Sequence, residues 1–166
     1  MFLVLRYKKL EIHLFDTTHQ LIIINMKRTS SVIWNGSVKE GSGYITTQSG
    51  CLDKQPYGWG SRFEKEHGTN PEELIAASHA ACYSMQLSSL LTKAGFIPDI
   101  IETKVEVSLE GGIINGSHLI VKGSVGELDQ QQFEKYAQEA KESCPVSKAL
   151  NMPITMETFL TEKIMM

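Results

Sequence analysis

The order of predicted strands and helices in this chain of 166 residues indicates an α+β fold, with strands and helices partly segregated. Three observations predict this class. Two β-rich runs precede a long helix, a strictly alternating strand and its hairpin partner follow that helix, and an amphipathic helix precedes a last strand. The length suits one domain, which we place at residues 26–166.

The first two strands are predicted at residues 31–36 and 43–49, because both runs are β-rich and the glycine- and serine-rich stretch between them is typical of a hairpin connection. Residues 50–70 contain four glycines and a proline. This composition predicts a long irregular loop, and loops of this length in compact domains are often functional.

A long helix is predicted at residues 71–93. Asn70 is a favourable N-cap, Glu73 forms a box-like arrangement with it, and a glycine and a proline follow the last turn. Residues 74–85 carry no Asp, Glu, Lys or Arg. A helix without charge on any face is expected to be buried on all sides, so we predict a central helix.

The second half of the chain alternates between strand and helix signals. Its predicted elements are a strand at 101–109, glycine-containing turns at 111–112 and 115–116, a paired strand at 117–125, a helix from Asp129 whose apolar face comprises Phe133, Tyr136, Ala137 and Ala140, a break at 143–145, a short helical turn at 146–150 and a last strand at 153–161.

Composition excludes several classes of function. The net charge of −3 offers no basic surface for nucleic acid, and no apolar run is long enough to span a membrane. Three cysteines, at positions 51, 82 and 144, lack C-x-x-C or zinc-type spacing. We therefore expect no metal and no cofactor, and a cytoplasmic protein with reduced thiols.

Residues 1–25 form an N-terminal extension of uncertain status. Their apolar start precedes the basic residues, which is the wrong order for a secretory signal. Met26-Lys27-Arg28 resembles a natural start. The segment is either an upstream extension of the reading frame or a real additional strand or helix.

Cys82 lies in the middle of the charge-free helix. A buried thiol without a nearby cation has a raised pKa and is inert, so by position alone Cys82 is more simply a small hydrophobic residue. Arg62 and Glu72 are the candidates to change this. Each has an ordinary explanation, Glu72 as a complement to the helix dipole and Arg62 as a solvated loop residue. Held by a carboxylate, however, an arginine could present fixed positive charge to a thiolate.

Glu72 and Cys82 are separated by about 15 Å along one straight helix, at about 1.5 Å per residue. They cannot touch within one chain. They could meet if two copies of the helix pack antiparallel about a two-fold axis. The hypothesis is a homodimer in which each active site is assembled from two chains.

Cys144 precedes a proline at a helix boundary, where the N-terminal end of a short helix favours a thiolate. A central cysteine and a boundary cysteine fit attack and resolution, although a partly buried cysteine without a role explains Cys144 equally simply. Cys51 has no such context. His79, one turn before Cys82, has no evident orienting Asn or Asp and is interpreted as a core histidine.

The sequence resembles the OsmC branch of the OsmC/Ohr hydroperoxide reductases over roughly residues 30 to 160. The matching motifs are Gln-Pro-Tyr-Gly at 55–58, Arg-Phe-Glu-Lys-Glu-His-Gly-Thr-Asn-Pro-Glu-Glu-Leu-Ile at 62–75, His-Ala-Ala-Cys-Tyr-Ser-Met at 79–85 and Cys-Pro-Val-Ser-Lys at 144–148. The resemblance implies an intertwined homodimer with antiparallel sheets around a buried central helix and active sites at the interface.

The same resemblance implies that Cys82 is the peroxidatic cysteine, Cys144 the resolving cysteine, and Arg62 and Glu72 the pair that activates the thiolate. It implies reduction of organic hydroperoxides, and less selectively of hydrogen peroxide, in oxidative or osmotic stress defence. It further implies a dithiol such as a lipoyl group as the reductant. The alternative is a redox-sensing protein that forms the same disulfide without turnover.

Overall fold

The computed structural model describes residues 26–161, so the N-terminal extension lies outside the described residues. The described elements are β1 (Ser30–Asn35), β2 (Ser42–Thr47), β3 (Gln55–Gly58), α1 (Trp59–Phe63), α2 (Pro71–Lys93), β4 (Pro98–Glu110), β5 (Ile113–Val125), α3 (Gln130–Ser143), α4 (Pro145–Ala149) and β6 (Ile154–Leu160). The predicted α+β class is confirmed. Within this range no helix is long and apolar enough to cross a bilayer.

The first sheet is antiparallel and has the order β1-β2-β3. It corrects the prediction of an irregular loop at residues 50–70, because β3 and α1 both lie there. Pro56 fits into β3 since this strand is at the edge of the sheet, where a residue without an N–H group is tolerated. Thr69 then forms a parallel bridge with Tyr57, so the segment folds back on itself before α2 begins.

The second sheet has the order β4-β5-β6 and is mixed. β4 and β5 form the predicted hairpin, closed by Gly111 and Gly112 with φ of 57° and 81°. Two successive residues with positive φ are what a tight hairpin turn requires. β6, however, pairs parallel with β5, so this one pairing departs from the antiparallel sheets that the resemblance implied. The chain can return in the parallel direction because α3 and α4 form the connection.

The beginning of α2 follows the sequence prediction closely. Asn70 Oδ1 accepts a hydrogen bond from the backbone N–H of Glu73 at 2.8 Å, and Pro71 occupies the first helical position. The predicted capping box between Asn70 and Glu73 is only half formed. The Glu73 carboxylate accepts a hydrogen bond from the Thr69 hydroxyl at 3.1 Å instead of from the backbone of Asn70. Both acidic residues of the first turn still complement the helix dipole.

The core lies between one face of α2, the second sheet and α3. The buried face of α2 consists of His79, Tyr83, Leu87 and Leu91. The opposite face, with Ala77, Ala81 and Met85, is exposed, and Met85 is 75% accessible. The expectation of a helix buried on all sides is therefore wrong for the single chain. The reason is geometric: the described elements of one chain cover only one side of α2.

The amphipathic prediction for α3 is confirmed. Phe133, Ala137 and Ala140 are buried, and Tyr136 packs at the edge of the core. Asp129 caps the helix by accepting from the N–H of Gln132, whose side chain accepts in return from the Asp129 N–H. This reciprocal cap fixes the start of the helix that leads to Cys144.

Candidate active site

The two cysteines that the sequence singled out lie together in one chain. Cys82 is half-buried in α2. Cys144 is fully buried at the junction of α3 and α4, where it is both the C-cap of α3 and the N-cap of α4. The two cysteines are neighbours whose side chains each influence the pKa of the other, and no disulfide joins them. Proximity of this kind is a necessary condition for a disulfide between two cysteines.

The pKa values of the two thiols move in opposite directions. Burial raises the pKa of Cys82, the neighbouring Cys144 raises it further, and the N–H of Val146 opposes both. Burial also acts to raise the pKa of Cys144, but it is outweighed by donors from the N–H and hydroxyl of Ser147, from the Cys82 thiol and from the Val146 N–H, so this pKa is lowered. Within the described part of one chain, Cys144 therefore loses its proton more readily than Cys82. No cation in this part of the chain contributes to the pKa of Cys82.

His79 connects this thiol pair to the core. Its Nδ1 lies 2.8 Å from the Ser117 hydroxyl of β5, and its Nε2 lies 2.9 Å from the Ser147 hydroxyl of α4. Burial lowers the pKa of His79, so the ring is neutral near pH 7. The interpretation of His79 as a core histidine is right about its burial, but the ring also touches a neighbour of Cys144.

Arg62 and Glu72 form the predicted ion pair. Arg62 Nε donates to Glu72 Oε2 at 3.1 Å, and Nη2 donates to Oε1 at 2.5 Å. These hydrogen bonds raise the pKa of Arg62 and lower that of Glu72, so both groups stay charged. The guanidinium also lies 5.1 Å from the Phe63 ring centroid. The two-pronged contact holds the planar guanidinium in a defined orientation.

The structure thus contains two halves of the predicted site that do not meet within one chain. Glu72 is in the first turn of α2 and Cys82 is ten residues further along, about 15 Å away at the helical rise. Since Arg62 is paired with Glu72, it lies at the same end of the helix. Cys51 is exposed in the turn between β2 and β3 and takes no part in either half.

Two serines near the thiols, Ser117 and Ser147, were not predicted from the sequence as residues of the site. Ser147 is the third residue of α4, three positions after Cys144, and the third helical position is one whose side chain commonly turns back to the capping residue. That spacing was a usable signal. Ser117 gave none, because its proximity to His79 depends on pairing between elements 38 residues apart.

An α+β fold that places two cysteines next to each other without a disulfide belongs to the class of proteins suited to thiol–disulfide chemistry. Comparison with known proteins narrows this class. The sequence profile described as OsmC-like protein matches residues 64–159. The chain is 47% identical over 128 residues to the peroxiredoxin OsmC of Escherichia coli, covering 75% of this chain and 90% of that protein. It is 32% identical over 123 residues to the organic hydroperoxide resistance protein OhrB of Bacillus subtilis, covering 70% and 88%.

Solved structures agree. The crystal structure of OhrB of Bacillus subtilis superimposes with a TM-score of 0.57 at 28% identity, covering 80% of this chain and 98% of that one. An OsmC-like protein of Vibrio cholerae superimposes with a TM-score of 0.65 at 14% identity, covering 80% and 99%. The chain belongs to the OsmC-like family.

Proposed function

We propose that this chain is a thiol-dependent peroxidase that reduces organic hydroperoxides, and less selectively hydrogen peroxide, with Cys82 as the peroxidatic and Cys144 as the resolving cysteine. The observation that carries the proposal is the proximity of these two thiols, each of which influences the pKa of the other, in a family whose relatives include a peroxiredoxin and organic hydroperoxide resistance proteins. Oxidative stress defence follows as the physiological setting.

The proposed cycle has three steps. The Cys82 thiolate attacks the outer oxygen of the hydroperoxide, the O–O bond breaks, and the alkoxide leaves with a proton as alcohol, so that Cys82 becomes a sulfenic acid. The Cys144 thiolate then attacks the Cys82 sulfur and displaces water, forming a disulfide. An external dithiol, such as a lipoyl-type group, reduces that disulfide in two exchange steps and is itself oxidised to a disulfide.

Arg62 and Glu72 supply the charge that Cys82 lacks within its own chain, and we propose that they come from a second copy. The support is that Glu72, which holds Arg62, lies in the first turn of α2, whereas Cys82 lies ten residues further along the same helix. In addition, Ala77, Ala81 and Met85 form an uncharged exposed face on that helix. Two such faces packed antiparallel bring the Arg62–Glu72 pair of one chain next to Cys82 of the other. Each homodimer then holds two sites.

The alternative of a redox sensor differs in turnover, and this difference supplies the test. Wild-type protein, Cys82→Ser and Cys144→Ser are mixed with cumene hydroperoxide and dithiothreitol, and peroxide is measured over time. We expect many turnovers for the wild type, none for Cys82→Ser, and a stall after one turnover or over-oxidation for Cys144→Ser. One stoichiometric oxidation of the wild type would favour the sensor, and full activity of Cys82→Ser would refute the assignment.

The compartment belongs to the same proposal. A cycle that starts from two free thiols needs a supply of reducing equivalents, which the cytoplasm provides. We therefore propose a cytoplasmic enzyme.

A further inference from the structure

Ser117, His79 and Ser147 form a hydrogen-bonded series, and its last member lies in the same short helix that Cys144 caps. Ser117, His79 and Ser147 are all buried, with exposed fractions of 2%, 0% and 8%. The ring has two nitrogens, one facing each hydroxyl, at 2.8 Å and 2.9 Å. A neutral imidazole has one donor and one acceptor nitrogen, so the two serines must play opposite roles.

The direction of these hydrogen bonds depends on where the hydroxyl proton of Ser147 points. If the Ser147 hydroxyl proton points at Cys144, its oxygen must accept from His79 Nε2–H, and His79 Nδ1 must then accept from the Ser117 hydroxyl. A thiolate at Cys144 favours this arrangement, because a negative sulfur accepts hydrogen bonds more strongly than a thiol. The opposite tautomer turns the Ser147 proton toward His79 and away from the sulfur.

Access to the two sulfurs is unequal. Cys144 is fully buried, whereas Cys82 is partly accessible. Once the two are joined in a disulfide, as the proposed function requires, an external thiolate reaches Cys82 first. Exchange of this kind is faster when the sulfur that leaves is the better-stabilised thiolate.

We propose that His79 is a positioning residue for the reductive step: by donating from Nε2 to Ser147, it directs the Ser147 hydroxyl at Cys144, so that Cys144 is the sulfur that leaves when a dithiol attacks Cys82. The attacking thiolate forms a bond to Cys82, the Cys82–Cys144 bond breaks, and the electron pair goes to Cys144. The second thiol of the reductant then attacks the mixed disulfide and releases Cys82 as a thiolate.

This inference rests on the proposed Cys82–Cys144 disulfide but is tested without peroxide. The protein carries Cys51→Ser, is oxidised with diamide, and is mixed with dithiothreitol while the return of free thiols is followed from pH 6 to 9. His79→Leu and Ser147→Ala should each slow reduction about three- to tenfold. His79→Gln, whose amide can still donate, should recover part of the rate. Ser84 also lies in α2, but its hydroxyl is hydrogen-bonded to Thr103 of β4. Ser84→Ala should therefore behave like the parent protein.

Two further measurements separate positioning from stability. In a Cys51→Ser, Cys82→Ser background, absorbance at 240 nm should show a higher pKa for Cys144 in His79→Leu and Ser147→Ala. With 2-mercaptoethanol, mass spectrometry should find the mixed disulfide on Cys82. The inference is overturned by a mixed disulfide on Cys144, by unchanged reduction rates in both variants, or by failure of diamide to form the bond. If the wild type fails to consume peroxide but these results hold, only the peroxidase proposal is refuted.

Discussion

At the scale of single residues, the chemistry depends on where charge can be placed near a buried sulfur. Burial raises the pKa of Cys82, so this thiol is a poor nucleophile until a cation approaches it. Arg62 is suited to that task because the Glu72 carboxylate holds its guanidinium group in place through two hydrogen bonds. The guanidinium also stays charged at every physiological pH. Cys144 needs no cation, since Ser147 and Val146 supply donors.

Loss of the Arg62 charge should impair the first chemical step. Arg62→Ala removes a group that stabilises negative charge in the transition state, so the rate of Cys82 oxidation should fall about a hundredfold or more. Arg62→Lys keeps the charge but loses the two-pronged contact with Glu72, and should give an intermediate rate. Stopped-flow oxidation by cumene hydroperoxide measures this. An Arg62→Ala rate equal to that of the wild type would remove Arg62 from the mechanism.

His79 should make stability depend on pH. Its folded-state pKa is lowered by burial from the usual value near 6.5, so below that pH the unfolded chain binds a proton that the folded chain does not. The free energy of unfolding should therefore fall as the pH decreases below about 6.5, by at most about 1.4 kcal/mol per pH unit from this residue.

Urea denaturation at pH 5 to 7 measures this contribution as the difference between wild type and His79→Gln. The wild type should lose stability on acidification more steeply than the variant. Parallel curves for the two proteins would show that His79 titrates alike in the folded and unfolded states.

At the scale of elements, the packing of α3 on β5 fixes the position of Cys144. Phe133 of α3 is fully buried directly over Gly123 of β5, and a Cβ built on Gly123 would lie 2.5 Å from the ring. Glycine at this position lets the helix approach the sheet closely. The helix then delivers Cys144 at its C-terminal end, next to Cys82.

Substitution of that glycine should be costly. Gly123→Ala forces either the ring or the strand to move and should destabilise the fold by about 1–3 kcal/mol. Gly116→Ala, in the same strand, has nothing within 4 Å of the new methyl group and serves as the matched control, with little expected change. Thermal and urea unfolding compare the two. Equal stabilities would show that the contact with Phe133 adapts without cost.

The sequence predicted these elements unevenly, for physical reasons. Caps and periodicity are local, so Asn70 and Asp129 identified the starts of α2 and α3 correctly. The short β3 strand is stabilised by pairing with β2 rather than by its own composition, and it was missed. The Arg62–Glu72 pair was predicted and found, whereas the contacts of His79 with Ser117 and Ser147 required the tertiary fold.

At the scale of the whole molecule, the described part of one chain leaves apolar surface uncovered. Every residue of β1 is exposed, including Val32, Ile33 and Trp34, and so is the Ala77, Ala81 and Met85 face of α2. Apolar surface of this extent commonly marks an interface. An intertwined dimer would cover both regions and would bring together the halves of the site that one chain keeps apart.

The most direct test of this account is complementation between two inactive proteins. Cys82→Ser lacks the nucleophile, and Arg62→Ala lacks the activating charge. If each site combines Cys82 of one chain with Arg62 of the other, a mixed dimer contains one intact and one doubly defective site. Random exchange of equal amounts should then restore about a quarter of wild-type peroxidase activity, because half the dimers are mixed and each has one site. Activity that stays at the level of the separate variants, although mixed dimers have formed, would contradict the two-chain site.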